Sequence, residues 1–204
     1  MVIGGNYMFY RICWVIVRAF IYLIYRVSVS GLENVPETGG AIIVANHLSY
    51  LDPPLIGVIL RRPIRFMAKK ELFRFRAFAW LIRKLGAFPV DRGSVDRAAI
   101  KEAIDTVSSG KLLGIFPEGG RSKDGRLQRG HAGAALIAIK TGAPVIPVGI
   151  IGLGRNSSGP WLRRRILVTI GKPLAPPQVG EQLDRTLLAT FTDDIMKAIA
   201  DLIA

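Results

Sequence analysis

Residues 41–53 read AIIVANHLSYLDP. Residues 41–46 form a compact apolar run with the turn-rich stretch 34–40 on one side and polar residues on the other. That is the pattern of a strand buried on both faces. Pro53 then opens a helical pattern that reaches residue 60, since proline suits a first helical turn, where its missing N–H costs nothing. A strand that hands polar residues to the start of a helix is a usual place for reactive groups in α/β folds.

The same alternation runs outward from this unit. Apolar strands are expected at 27–30, 64–68, 87–90, 112–116, 145–151 and 166–170, and helices at 70–85, 96–109, 131–141 and 183–203. Strands alternating with helices predict an α/β fold with a central, mostly buried mixed sheet flanked by helices. A chain of 204 residues, half of them apolar, suits one domain with a sizeable core. Two parts are expected: an amphipathic, membrane-associated helix at 1–26 and a globular domain at 27–204.

Charge and hydropathy narrow the partners. The net charge is +13 and the mean hydropathy is +0.34. A basic excess calls for an anionic partner, and the high hydropathy favours a membrane surface over nucleic acid. The single cysteine, Cys13, excludes an internal disulfide. With two histidines, a structural zinc site is not expected.

No uninterrupted apolar stretch reaches the ~18–20 residues of a spanning helix. Residues 7–25 come nearest, but Arg11 and Arg18 interrupt them and fall on one stripe with Arg26 close by. An apolar, aromatic-rich helix with one basic stripe reads as lying in the membrane interface, its arginines reaching headgroups. In the helix expected at 70–85, Phe73, Trp80 and Leu81 are read as core, and core packing is the expected role of most of the aromatics, with a place at lipid headgroups as the alternative for Phe75, Phe78 and the interleaved basic residues.

Three motifs carry chemistry. In NHLSYLDP (46–53), His47 precedes Asp52 by five positions. A carboxylate on one imidazole nitrogen fixes the tautomer, and the other nitrogen is then free to take a proton. Asp52 before Pro53 also suits a plain helix cap. In GAFPVDR (86–92), a short strand delivers Asp91 and Arg92 into a loop; the planar guanidinium fork fits a phosphate, though a surface ion pair would use the same residues. In FPEGGRS (116–122), a strand ends before Glu118, Gly119, Gly120 and Arg121. The glycines let backbone approach a ligand, Arg121 supplies charge, and Glu118 can accept from a hydroxyl. A simple solvated turn is the alternative.

These three blocks and the later apolar strand VIPVGI (145–150) stand in order across residues 27–170. Together they resemble the 1-acylglycerol-3-phosphate acyltransferase family of phospholipid biosynthesis, which is marked by a histidine and an aspartate separated by four intervening residues, a block like GAFPVDR and a block like FPEGTRS. The resemblance implies that His47 is the general base and Asp52 its partner. It implies that Arg92 and Arg121 bind the substrate phosphate and that Glu118 and Gly119 contact the acceptor. Arg129 falls where members often carry a basic residue before a glycine. Gly120 stands where the usual pattern has threonine, which removes a hydroxyl contact and loosens the turn.

The implied reaction is transfer of a fatty acyl group from acyl-CoA or acyl-carrier protein to the sn-2 hydroxyl of 1-acylglycerol 3-phosphate, giving phosphatidic acid without a metal or other cofactor. The implied partners are the lysophospholipid, the acyl thioester and an anionic membrane surface, with no nucleic acid. The implied location is the cytoplasmic face of the cell membrane, as a peripheral or monotopic protein. Two alternatives stay open. One is an acyltransferase for glycerol 3-phosphate, another lysophospholipid or a lysolipid. The other is a non-catalytic basic protein that binds membranes.

Overall fold

The computed structural model describes residues 4–91, 96–154, 164–178 and 184–204. Its centre is β2 (Ala41–Ala45), buried at every position. Because side chains alternate across a strand, Ala41, Ile43 and Ala45 enter the core on one face of the sheet, while Ile42 and Val44 enter the core on the other.

Around β2 lie β1 (Arg26–Ser30), β3 (Ile64–Lys69), β4 (Phe88–Val90), β5 (Leu112–Ile115), β6 (Val145–Ile151) and β7 (Arg165–Ile170). The described strands form one sheet in the order β1-β7-β6-β2-β5-β3-β4. Neighbours are parallel except β6 and β7. The sheet is therefore mixed: β6, β2, β5, β3 and β4 run one way, and β1 and β7 return. The carboxyl ends of five strands share one edge, and the motifs at 46–53, 116–122 and the residue after β4 all start there.

Helices cover both faces. On the first, α1 (Gly4–Ile24) and α2 (Asp52–Ile59) place Ile21, Leu55, Ile56 and Val58 against Ile43, Val148 and Ile166. On the second, α4 (Arg97–Ser108), α5 (Gly133–Thr141) and α6 (Arg185–Ile203) bring Ala103, Ala134, Ala138, Phe191 and Ile195 against Ile42, Val44 and Leu113. The alanines on α4 and α5 let these helices approach the sheet closely. Gly114 does the same work in β5. An added Cβ there would lie 2.2 Å from Cε1 of Phe66, so only glycine lets that ring cross the strand.

The structure departs from the sequence reading in three places. The helix expected at 70–85 is broken into a 3-10 turn, Lys70–Arg74, and α3, Arg76–Lys84, by extended backbone at Phe75. Lys70 at the head of the turn is paired with Asp91, the residue after β4, which keeps this segment on the sheet edge while α3 turns away. Trp80, expected in the core, is 54% exposed and rests edge-on against Phe9 of α1, with ring centroids 5.4 Å apart.

The third departure concerns the arginine stripe of α1. Arg18 turns inward: its Nη1 donates to the carbonyl of Val58 at 2.9 Å, and its guanidinium lies against the rings of Trp14 and Tyr22. The carbonyl at the end of α2 needs a donor, and a half-buried arginine supplies it. Arg11 stays exposed, and the exposed face of α1 is otherwise mostly apolar, carrying Met8, Ile12, Val15, Ile16, Phe20 and Leu23.

Candidate active site

The site begins with Asn46, which directly follows β2. Its side-chain amide donates to the carbonyl of Ile150 at 2.9 Å and accepts from the N–H of Ile150 at 2.8 Å. This pair clamps the end of β2 to β6, so the next residue, His47, leaves the sheet in a fixed direction.

His47 is buried, and its Nδ1 lies 2.7 Å from Oδ2 of Asp52. Asp52 is fully buried at the first turn of α2. The same Oδ2 also accepts the backbone N–H groups of Leu48 at 2.6 Å and Ser49 at 2.7 Å. Asp52 is thus not a forward helix cap. It reaches back into the loop and holds both the imidazole and the turn that carries it. With Nδ1–H donated to a carboxylate, Nε2 is left as the free, basic nitrogen.

One face of the imidazole is covered. The ring of Phe116, at the end of β5, stacks on it at a centroid distance of 4.1 Å and 20° between planes. Phe66 stacks in turn on Phe116 at 5.9 Å and 11°. The missing side chain at Gly114 therefore serves the site: it admits the Phe66 ring that stacks on Phe116, which in turn stacks on His47.

The FPEGGRS loop grips the backbone of His47 from two sides. Oε1 of Glu118 accepts the N–H of His47 at 2.6 Å, and Oε2 accepts the N–H of Gln128 at 2.8 Å. The N–H of Ser122 donates to the carbonyl of His47 at 2.8 Å. Burial pushes the Glu118 carboxyl above its ordinary value, against the lowering effect of the two backbone N–H bonds. Glu118 acts here as a bracket between the loop and the histidine segment.

Gly119 follows with φ +67, and a Cβ at that position would lie 2.8 Å from Cδ2 of His131. Only glycine fits both the left-handed backbone and the imidazole packed above it. Gly120 has open space around it. Arg121 is exposed, with its guanidinium carbon 3.5 Å from the centroid of the Tyr50 ring.

His47, Asp52, Glu118, Gly119 and Arg121 thus belong to two loops tied together at the carboxyl edge of β2 and β5. Arg129 is exposed and follows Gln128, whose N–H is bound to Glu118. Arg92 lies outside the described residues. The strand that leads toward it, β4, stands three places from β2 in the sheet, about 14 Å away at the usual ~4.8 Å spacing.

A sequence model of the family described as Acyltransferase matches residues 26–151. This chain belongs to the acyltransferase family. It is 34% identical over 197 residues to the 1-acyl-sn-glycerol-3-phosphate acyltransferase of Bacillus subtilis, covering 95% of this chain and 96% of the relative. It is 38% identical over 136 residues to the protein of the same description from Streptococcus pneumoniae, covering 65% of this chain and 49% of that one. Among solved structures, the crystal structure of the 1-acyl-sn-glycerophosphate acyltransferase of Thermotoga maritima superposes with a TM-score of 0.74 at 30% identity, covering 97% of this chain and 80% of that chain.

The acyltransferase site also uses residues that the sequence reading passed over. Asn46 and Phe116 are the first residues of two named motifs and carried no separate signal. Gly114, an isolated glycine inside an apolar strand, is a signal of close approach. Tyr50 lies within NHLSYLD, and its role depends on a loop more than sixty residues away. Lys70 follows β3 on the same sheet edge and pairs with Asp91.

Proposed function

We propose that this acyltransferase moves a fatty acyl group from acyl-CoA or acyl-carrier protein to the sn-2 hydroxyl of 1-acylglycerol 3-phosphate, giving phosphatidic acid. The observation that carries the reading is the 2.7 Å contact between His47 Nδ1 and Asp52 Oδ2, set against a loop that carries Arg121. It supplies a base with its proton geometry fixed and a cation for a phosphate.

The proposed reaction takes one covalent step. The acceptor hydroxyl attacks the thioester carbonyl while Nε2 of His47 takes its proton. Asp52 stabilises the imidazolium that forms. The tetrahedral intermediate collapses, the C–S bond breaks, and the proton passes from Nε2 to the leaving thiolate. The products are an ester and a free thiol. A positioned base contributes about 10²- to 10⁴-fold, and alignment of the two substrates provides much of the rest. A thioester is already activated, so the chemistry asks for no metal or redox group.

The enzyme works, in this reading, as a peripheral or monotopic protein on the cytoplasmic leaflet. No described helix is long and apolar enough to cross a membrane. Support for an interfacial position comes from the exposed apolar face of α1 together with Phe75, Phe78 and Trp80 beside it on α3 and its lead-in. Arg74, Arg76, Arg83 and Lys84 surround these rings and are exposed, an arrangement suited to an apolar layer beneath anionic headgroups.

The test is incubation of the purified protein with acyl-CoA or acyl-carrier protein and a panel of acceptors. Free thiol should appear only with a lysophosphatidate, and the product should have the mass of a phosphatidic acid. Thiol release with glycerol 3-phosphate or an uncharged lysolipid instead would reassign the acceptor. No transfer to any acceptor would reject the reading.

A further inference from the structure

We infer that Tyr50 is a positioning residue for Arg121, and that its ring is the shelf that holds the guanidinium ready for the phosphomonoester of the acceptor. This inference rests on the acyl-transfer reading above. Its first support is the contact itself: the guanidinium carbon of Arg121 lies 3.5 Å from the centroid of the Tyr50 ring, well within the range at which a cation is attracted to an aromatic face.

The second support is the state of Tyr50. It is 69% exposed, so burial does not account for its place. The other strongly exposed aromatic rings among the described residues, Phe20, Phe75 and Trp80, lie on α1, on α3 or on the segment that leads into it. Tyr50 stands instead between the two members of the catalytic pair. Its neighbours are fixed: the N–H of Ser49 donates to Oδ2 of Asp52 at 2.7 Å, and the N–H of Leu51 donates to Oγ of Ser49 at 3.2 Å.

The third support is registration. Ser122, next to Arg121, donates its N–H to the carbonyl of His47 at 2.8 Å. Both ends of the Tyr50–Arg121 contact are therefore anchored to the same histidine segment. A guanidinium stacked by its face keeps its N–H edge free, and that edge makes the paired hydrogen bonds that suit a phosphate. An exposed arginine without such a shelf samples many rotamers and must be ordered by each substrate it binds.

The experiment compares Tyr50→Phe, Tyr50→Leu, Tyr50→Ala, Arg121→Ala and the double variant Tyr50→Ala/Arg121→Ala. Two readouts are taken: acceptor KM and kcat with a lysophosphatidate, and the affinity for inorganic phosphate from NMR titration of the arginine side-chain signals. The ring is what matters, so Tyr50→Phe should keep both acceptor KM and phosphate affinity within about twofold of wild type. Tyr50→Leu and Tyr50→Ala should raise acceptor KM and weaken phosphate binding about two- to fivefold, the range expected for an exposed cation–π contact, with kcat changed less. In the Arg121→Ala background, Tyr50→Ala should add nothing.

Leucine keeps an exposed apolar side chain but has no aromatic face. If Tyr50→Leu binds phosphate and acceptor as well as wild type, or if the Tyr50→Ala effect persists without Arg121, the inference is overturned. The two readings separate cleanly. A wild-type protein without transferase activity whose phosphate affinity still drops in Tyr50→Leu rejects the function and upholds the shelf. An active wild type with an unaltered Tyr50→Leu rejects the shelf alone.

Discussion

Oε1 of Glu118 accepts the backbone N–H of His47 at 2.6 Å. A side chain from the loop after β5 thereby fixes the backbone of the histidine that follows β2. The motif glutamate is expected from sequence to contact the acceptor. Its hydrogen bonds give it a supporting task, and each of its oxygens already holds one backbone donor.

Glu118→Gln should test that task. The amide offers one acceptor and turns an N–H₂ toward a backbone N–H. One of the two brackets is lost, and the turnover is expected to fall at least tenfold. The pH dependence has a defined sign. Burial raises the folded-state pKa of Glu118, so its contribution to stability is full below its ordinary value and is lost as pH rises through the raised one. The stability of wild type relative to Glu118→Gln should therefore grow as pH falls toward 4.5. Denaturant unfolding of both proteins across that window measures it.

His47→Ala should leave a folded protein, because the ring is held at the edge of the sheet and not among the central aliphatic side chains. Its turnover should drop by about 10²- to 10⁴-fold, read by thiol release with circular dichroism as the control. Asp52→Asn should lose turnover on a similar scale and also stability, since one oxygen of Asp52 organises three donors. Transfer near the wild-type rate in either variant would reject the base.

Gly114→Ala should act on the base from two rings away. The new methyl would meet the Phe66 ring at 2.2 Å, forcing that ring off Phe116. Overpacking of this kind typically costs about 1–3 kcal/mol. A lower melting temperature together with a reduced kcat is expected. Adding Phe66→Leu should restore part of the stability by vacating the contact.

Gly119 and Gly120 should respond in opposite ways. Gly119→Ala combines a left-handed backbone with a 2.8 Å approach to His131, and a loss of about 1–2 kcal/mol is expected. A Cβ at Gly120 meets nothing within 4 Å, so the stability of Gly120→Thr should stay within about 0.5 kcal/mol of wild type. Any effect of the added hydroxyl should appear in the choice among phosphate acceptors.

The membrane reading predicts that Phe20→Glu and Leu23→Glu reduce sedimentation with anionic vesicles while leaving unfolding midpoints nearly unchanged, since both side chains are exposed. Charge reversal at Arg74 and Arg76 should do the same in a salt-dependent manner. Retained vesicle binding in both sets would exclude this face.

The fold was legible in large part because its central strands, β2, β5 and β6, carry no polar side chain. AIIVA and VIPVGI announce burial on both faces, and that alone demands helices on two sides. Some element ends shifted by a residue or two, as at α5, which begins at Gly133 and not at residue 131; two larger departures involve a polar partner outside the segment. The helix read through residues 70–85 breaks at Phe75, and Lys70 pairs with Asp91, the residue after the neighbouring strand β4. Likewise, Arg18 turns inward toward a carbonyl forty residues away, which a helical projection of α1 does not contain.

The His47–Asp52 contact and the family were readable from sequence because the pair is local: the two residues lie five positions apart, and their spacing is itself the motif. What the tertiary structure decided is everything that joins separate strands. Glu118 became a bracket, Phe116 a backing ring, Gly114 a clearance and Tyr50 a neighbour of Arg121, because β5 lies between β2 and β3 in the sheet and brings together residues far apart in the chain. Sequence records which side chains can bond; only the folded backbone sets which donors and acceptors come within reach.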